Sequence, residues 1–312
     1  MNTMNQDDYI TYVISLKYPE TVLNTLSKHS LNPILFNGIN GKTCSQDTIK
    51  KHCTSLYAKF GPKSSIGCAL SHLNVWKTFL SSDKKYAIVF EDDIILDSLG
   101  QDTNNLLSTI KHYVSKIPDA FDILYLGCFG SEDTPNFFTM SMKTLGLSSE
   151  SKYINVFIKK PEVALATHAY VISKNGAEKL VKHIDGNIHN HIDYCIQTLY
   201  SRGILNNYVT IPRLIYQSST DTTVSNNSSN SYPILLNNIL SNYYVDKHVK
   251  ASYITTLSVF RLGDFNITIS NILIFILIIA CISFKIDCQY VFIWIVLLSF
   301  PDFFKYTRNE ID

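Results

Sequence analysis

The stretch Tyr86-Ala87-Ile88-Val89-Phe90-Glu91-Asp92-Asp93 decides the reading, because an unbroken apolar run gives way without a spacer to three acids. A short continuous run of this kind, rich in β-branched and aromatic residues, is the pattern of a strand buried on both faces. Just before it, Leu70, Leu73, Trp76, Phe79 and Leu80 recur at spacings of three and four, which predicts an amphipathic helix over residues 67–80. Working outward, strands are expected at 9–16, 32–39, 121–126, 163–172 and 207–216. Helices are expected at 19–29, 47–59, 106–117, 176–183 and 193–202. Asn37-Gly38 and Asn40-Gly41 close the second strand as turns. Alternating strands and helices predict an α/β domain with a largely parallel sheet. The polar stretches 132–152 and 218–231 are expected to be a loop over a site and a linker or flap.

In an open α/β sheet, ligands bind beyond the carboxyl ends of the strands, which is where Glu91, Asp92 and Asp93 fall. Three adjacent carboxylates cannot all be buried unpaired, so they face water, hydrogen-bond donors or a cation. Hard oxygen donors suit Mn²⁺ or Mg²⁺, held together with the phosphates of a substrate. A nucleoside diphosphate is the natural third party. The same triplet also reads as a solvated turn or as a cap for the next segment, and the residue pattern alone leaves both open.

Composition narrows the classes. The chain has 312 residues and 27 Lys+Arg against 26 Asp+Glu, a formal charge of +1. No global field draws it to nucleic acid, and a nucleic-acid partner is not expected. Seven cysteines form no C-x-x-C pair, which fits scattered reduced thiols. No export signal is expected at the N-terminus, since 9–16 is too short and strand-like for a signal core.

The order of these segments resembles glycosyltransferase family 25, the group of bacterial lipooligosaccharide galactosyltransferases and collagen-modifying galactosyltransferases. Val13-Ile14-Ser15-Leu16-Lys17 is similar to its opening strand, and Phe36-Asn37-Gly38-Ile39-Asn40-Gly41 to its second strand and turn. Gly67-Cys68-Ala69-Leu70-Ser71-His72-Leu73-Asn74-Val75-Trp76 resembles its most recognisable helix, and Ile88 through Asp93 its metal motif. Thr167 through Ser173, Gly176 through Leu180, Ile192-Asp193 and the segment from Pro212 to Gln217 follow in the family's order.

The resemblance, over residues 9–225, implies a GT-A-type nucleotide-sugar-binding domain. It also implies metal-dependent transfer of a hexose, with galactose suggested by the relatives, from a UDP-sugar to a glycan, glycolipid or protein hydroxyl, with inversion. It places Mn²⁺ (or Mg²⁺) on Asp93 with Glu91, and Ser15, Leu16, Lys17, Gly38, Ser71, His72, Glu91 and Asp92 on the donor side. Asp193 is the candidate base, with a helix N-cap as its alternative role. Ser15 and Lys17 stand where the family commonly carries Asn and a nearby Arg, which puts donor recognition at that point in question. A late metal ligand would come from Gln217, Ser219, Asp221, His189 or His191. A catalytically inactive membrane-anchored binding protein on the same fold is the second reading. A metal phosphohydrolase uses only the acidic triplet and leaves the helix motif unexplained.

The apolar residues are unevenly spread, with 26 of the 34 residues from Ile267 to Phe300 apolar. Residues 226–266 read as linker and peripheral helices, and 267–304 as a membrane-anchoring helical hairpin with limbs at 267–284 and 290–300. A buried core hairpin is the rival. Lys247, Lys250, Arg261, Lys305 and Arg308 flank the segment against Lys285 in its turn, which predicts both ends, and the catalytic domain, on the cytosolic side.

Overall fold

The structure is a computed structural model, and it describes residues 8–96, 105–118, 120–130, 137–218, 244–246, 248–250, 257–263, 265–285 and 289–290. The chain divides into two compact units, one of residues 1–58 with 65–218, the other of 59–64 with everything after 218.

The first unit opens as β1 (Tyr9–Ser15), α1 (Glu20–Lys28) and β2 (Pro33–Asn37). The expected helix at 47–59 is two helices, α2 (Gln46–His52) and α3 (Ser55–Phe60). They break at Cys53, which bridges to Ile188 while Thr54 donates its N–H to the Ile188 carbonyl at 2.9 Å. The tertiary pairing falls on Cys53-Thr54, weak helix formers within the span. There follow α4 (Lys63–Leu80), β3 (Tyr86–Glu91), β4 (Ile94–Leu96), α5 (Leu106–Ser115), β5 (Ile123–Phe129) and α6 (Phe137–Thr144). The last lies within the predicted 132–152 loop. β6 (Lys152–Tyr153), β7 (Ile158–Lys160), β8 (Leu165–Ser173), α7 (Lys174–Ile184), α8 (Ile192–Ser201), β9 (Asn207–Thr210) and β10 (Ile215–Gln217) complete the unit.

Eight strands form one sheet in the order β2-β1-β3-β8-β5-β9-β7-β6. It is mixed rather than largely parallel. β2, β1 and β3 run parallel, but β8 enters antiparallel between β3 and β5. Strands buried on both faces read alike whatever their direction, so hydropathy could not reveal this reversal. Side chains alternate between two cores. Tyr12, Ile14, Ala87, Val89 and Tyr125 join Trp76 and Phe79 of α4 and the apolar faces of α7 and α8. Val13, Ile88, Phe90 and Leu124 meet Leu26 of α1 and Ile110 and Val114 of α5 on the other face. Helices on both faces of the sheet make the layered α/β architecture.

The predicted strand 207–216 is also divided. β9 stays in the large sheet, whereas β10 leaves it to pair antiparallel with β4, Gln217 opposite Ile94. Gly127 makes room for this crossing: a Cβ there would sit 1.9 Å from the Ile215 carbonyl oxygen and 2.6 Å from His168 Nε2.

The second unit contains the short hairpins β11 (Tyr244–Asp246) with β12 (Val249–Lys250), and β13 (Ser258–Leu262) with β14 (Phe265–Thr268). Arg261 ties β13 to residues 59–61, donating to the Lys59 and Gly61 carbonyls at 3.1 and 3.3 Å. The predicted membrane hairpin is corrected in its first limb. Its first limb begins as strand, with Ile267 and Thr268 in β14, so the helix α9 (Ile269–Ser283) has 15 residues, started by a Thr268–Asn271 capping box. At 1.5 Å per residue that is roughly 22 Å, short of the ~30 Å of bilayer hydrocarbon. Among the described residues no helix is long and apolar enough to cross a membrane. The second limb, 290–300, lies outside the described residues beyond Tyr290, as does nearly all of 218–231.

Gly127→Ala is expected to destabilise the protein by about 3 kcal/mol, the upper range for forcing atoms into a filled site. Urea denaturation compared with the unaltered chain checks it.

Candidate active site

The site is built where the chain leaves β1 in one direction for β2 and in the other for β3. Such a reversal of strand order opens a crevice beyond the carboxyl ends of the strands. The register aligns these ends, with Ser15 opposite Asn37 and Ile14 opposite Glu91. Four of the predicted donor-side residues meet here. The Ser15 hydroxyl donates to Asp92 Oδ2 and accepts the Lys17 N–H at 3.1 Å, and the Gly38 N–H donates to the Ser15 carbonyl at 2.8 Å. Leu16 and Lys17 are exposed beside them. Burial and the neighbouring Glu91 charge push Asp92 above the usual carboxylate range, against the opposing hydrogen bond from Ser15 and the charge of Lys17.

α4 is pressed against the turn after β2. A Cβ at Gly67 would meet the Ile39 carbonyl oxygen at 2.5 Å and the Gly41 nitrogen at 2.6 Å, so glycine sets this close approach. Ser71 then pins the two together, accepting the Ile39 N–H at 2.8 Å and donating to the Gly67 carbonyl at 2.7 Å. Its hydroxyl thereby shapes the donor-side turn through the backbone.

His72 is fully buried and both its ring nitrogens are engaged. The Trp76 Nε1–H, an obligate donor, reaches the Tyr170 hydroxyl oxygen at 2.9 Å. His72 Nδ1 faces the same hydroxyl at 3.0 Å, and because a carboxylate oxygen only accepts, Nε2 carries a proton and donates it to Glu91 Oε1 at 3.2 Å. Thr167 donates to the same Glu91 oxygen at 2.7 Å. Burial alone would raise Glu91, yet the His72 and Thr167 contacts outweigh it and hold the carboxyl below its ordinary range. Trp76, Tyr170 and Thr167 lie within the motifs quoted above, but their joint action on Glu91 needs the antiparallel placement of β8.

Asp93 differs from its two neighbours. It is 9% exposed, and burial with the Glu91 charge drives it well above the ordinary range. Gln217 Nε2 donates to Oδ2 at 2.9 Å, Ser218 N–H donates to the Asp93 carbonyl at 2.7 Å, and Oδ1 has no hydrogen-bond partner. Of the five residues proposed for a late ligand, the structure brings Gln217 to Asp93. His189 faces Cys195 and the Asn187 carbonyl, and His191 faces Ser65, while Ser219 and Asp221 lie outside the described residues.

Asp193 sits in the first turn of α8, whose N-cap is His191. Its Oδ1 accepts the Tyr194 N–H at 2.8 Å and its Oδ2 the Ala166 N–H at 3.1 Å. Ala166 adopts φ +74°, a strained left-handed conformation for a residue with a Cβ. The Asp193 carboxylate thus fixes the bend that starts β8, two residues from His168. The charges of Glu91, Asp193 and Asp93 all act on the Cys68 thiol, which burial first of all and then these anions push upward. None of the six cysteines among the described residues is in a disulfide.

The model of a family described as glycosyltransferase family 25 (LPS biosynthesis protein) matches residues 9–196. Procollagen galactosyltransferase 1-A of Xenopus laevis is 24% identical over 183 residues, 54% of this chain and 27% of the relative. The chain therefore spans about a quarter of that relative's length. Among solved structures, A197 from STIV is 11% identical with a TM-score of 0.31, covering 64% of this chain and 80% of its own. The inositol-1-phosphate CTP transferase from T. maritima is 11% identical with a TM-score of 0.29, covering 65% and 66%.

Tyr170→Phe removes the hydroxyl between Trp76 and His72 and strands two buried polar groups. The expected loss is about 1–3 kcal/mol of stability, read from urea denaturation monitored by tryptophan fluorescence.

Proposed function

The chain belongs to glycosyltransferase family 25, and on that premise we propose that it moves a hexose, galactose first among the candidates, from a UDP-sugar to a hydroxyl of a glycan, glycolipid or protein. One observation carries this reading. Asp93 holds a buried carboxylate oxygen without a hydrogen-bond partner, beside the strand ends where an α/β sheet takes its ligand. A buried carboxylate in that state is stabilised by a cation, and oxygen donors suit Mn²⁺ or Mg²⁺. Asp93 would hold the ion, with Asp92 or Glu91 on the same turn. When bound, such an ion supplies positive charge against the diphosphate leaving group.

The protein's own groups account for the rest. The Ser15–Asp92 pair and the close turn at Gly38 shape the donor end of the crevice. Gln217 holds Asp93 Oδ2, which leaves Oδ1 for the ion. Inversion requires an in-line displacement in which a carboxylate takes the proton of the acceptor hydroxyl. Asp193 is proposed for that role, held against rotation by the Ala166 and Tyr194 N–H groups. The reading includes a catalytic domain facing the cytosol at a membrane, and protease protection of residues 1–260 in sealed microsomes would contradict that orientation.

A screen of nucleotide sugars for binding and nucleotide release, with and without Mn²⁺, tests the activity. Asp93→Asn should abolish Mn²⁺-dependent binding. Asp193→Asn should lower kcat by about 10²–10⁴, the usual share of a general base, with donor binding retained. Binding indifferent to both chelator and Asp93→Asn would overturn the reading. Mn²⁺-dependent binding without turnover across donors and acceptors would favour the inactive binding protein instead.

A further inference from the structure

Cys68 and His72 are four residues apart on α4, so both side chains leave the same face of the helix. Glu91, at the end of β3, completes a cluster in which a thiol sulfur, an imidazole nitrogen and a carboxylate oxygen all lie within 4.8 Å of one another. His72 Nε2 and Glu91 Oε1 are 3.2 Å apart. Zinc bonds of about 2.3 Å to sulfur and 2.0–2.2 Å to nitrogen and oxygen, at tetrahedral angles, separate such donors by about 3.3–3.6 Å. The nitrogen–oxygen pair already has that spacing, and closing the cluster on an ion draws the sulfur in by at most about 1.5 Å.

The donor set and its surroundings differ from those of Asp93. Sulfur and imidazole select a thiophilic ion over Mn²⁺ or Mg²⁺. A partner behind the ring is already in place, since His72 Nδ1 faces the Tyr170 hydroxyl at 3.0 Å and Trp76 donates to that hydroxyl from the other side. Such a partner fixes ring orientation in metal-ligating histidines. Cys68 and Glu91 are partly exposed while His72 is buried, so an ion can reach the site from solvent.

We infer that Cys68, His72 and Glu91 form a three-ligand site for a thiophilic divalent cation of the Zn²⁺ class, separate from the oxygen site at Asp93 and with a fourth position open. Binding displaces the Cys68 thiol proton to solvent and moves the His72 proton from Nε2 to Nδ1, where the Tyr170 oxygen accepts it. The ion then takes over Glu91 from the His72 hydrogen bond. The site rests on its own donors and not on the transferase reading, and with Glu91 committed to it the oxygen site draws on Asp93 and Asp92.

Cobalt titration of the full-length, tag-free protein tests it, because a cobalt–thiolate bond has a near-ultraviolet charge-transfer band that oxygen and nitrogen ligands do not produce. The expected result is such a band, saturating at one ion per chain, abolished by excess Zn²⁺ and absent in Cys68→Ser. Glu91→Gln should keep the band but weaken cobalt binding at least ~tenfold, which preserves the test if the cysteine variant does not fold. Asp93→Asn should keep the band even where it abolishes Mn²⁺-dependent nucleotide-sugar binding, so failure of either site is read separately. No band in the unaltered protein, or a band that survives Cys68→Ser in a folded variant, overturns the inference.

Discussion

Carboxylates brought to the edge of a protein interior must be met by donors or a cation, and the turn Glu91-Asp92-Asp93 brings three there in succession. Much of the first unit around this turn supplies what they require. Glu91 is met by His72 and Thr167, Asp92 by Ser15, and one oxygen of Asp93 by Gln217. These partners come from α4, β8, β1 and β10, so the acidic turn ties together elements that are distant in sequence. The second oxygen of Asp93 is left over. An arrangement that satisfies all but one of its buried acceptors differs from a solvated turn, whose carboxylates would stay in water.

The same elements explain why small residues stand where they do. Gly67 lets α4 touch the turn after β2, and Gly127 lets β10 pass over the sheet to reach β4. Without the second approach Gln217 could not lie opposite Ile94, and Asp93 would lose its amide partner. Trp76 and Tyr170 act at one further remove, since the indole N–H holds in place the phenol oxygen that faces His72 Nδ1. Their burial serves both the core and the orientation of Glu91.

Much of the first unit was legible residue by residue. Its early strands and helices are expected near where they are found, because apolar periodicity reports local burial directly. The acidic turn and the Gly67–Trp76 helix could be singled out for the same reason, as could the order of segments that matches glycosyltransferase family 25. Elsewhere the local signal was overridden. Residues 47–59 read as one helix yet break at Cys53, where the chain pairs with Ile188. The run 207–216 is rich in β-branched and aromatic residues yet divides between two sheets. The start of the apolar tail joins a hairpin as β14, which shortens the helix behind it.

By itself the sequence determined that an α/β domain ends a buried strand in three acids, because hydrophobic burial and charge desolvation act on neighbouring residues. Tertiary structure alone decided which partner each acid receives. β8 runs antiparallel between β3 and β5, and that reversal puts Thr167 beside Glu91 and Tyr170 beside His72. A strand buried on both faces carries the same residues in either direction, so its direction is settled by what it meets across the sheet.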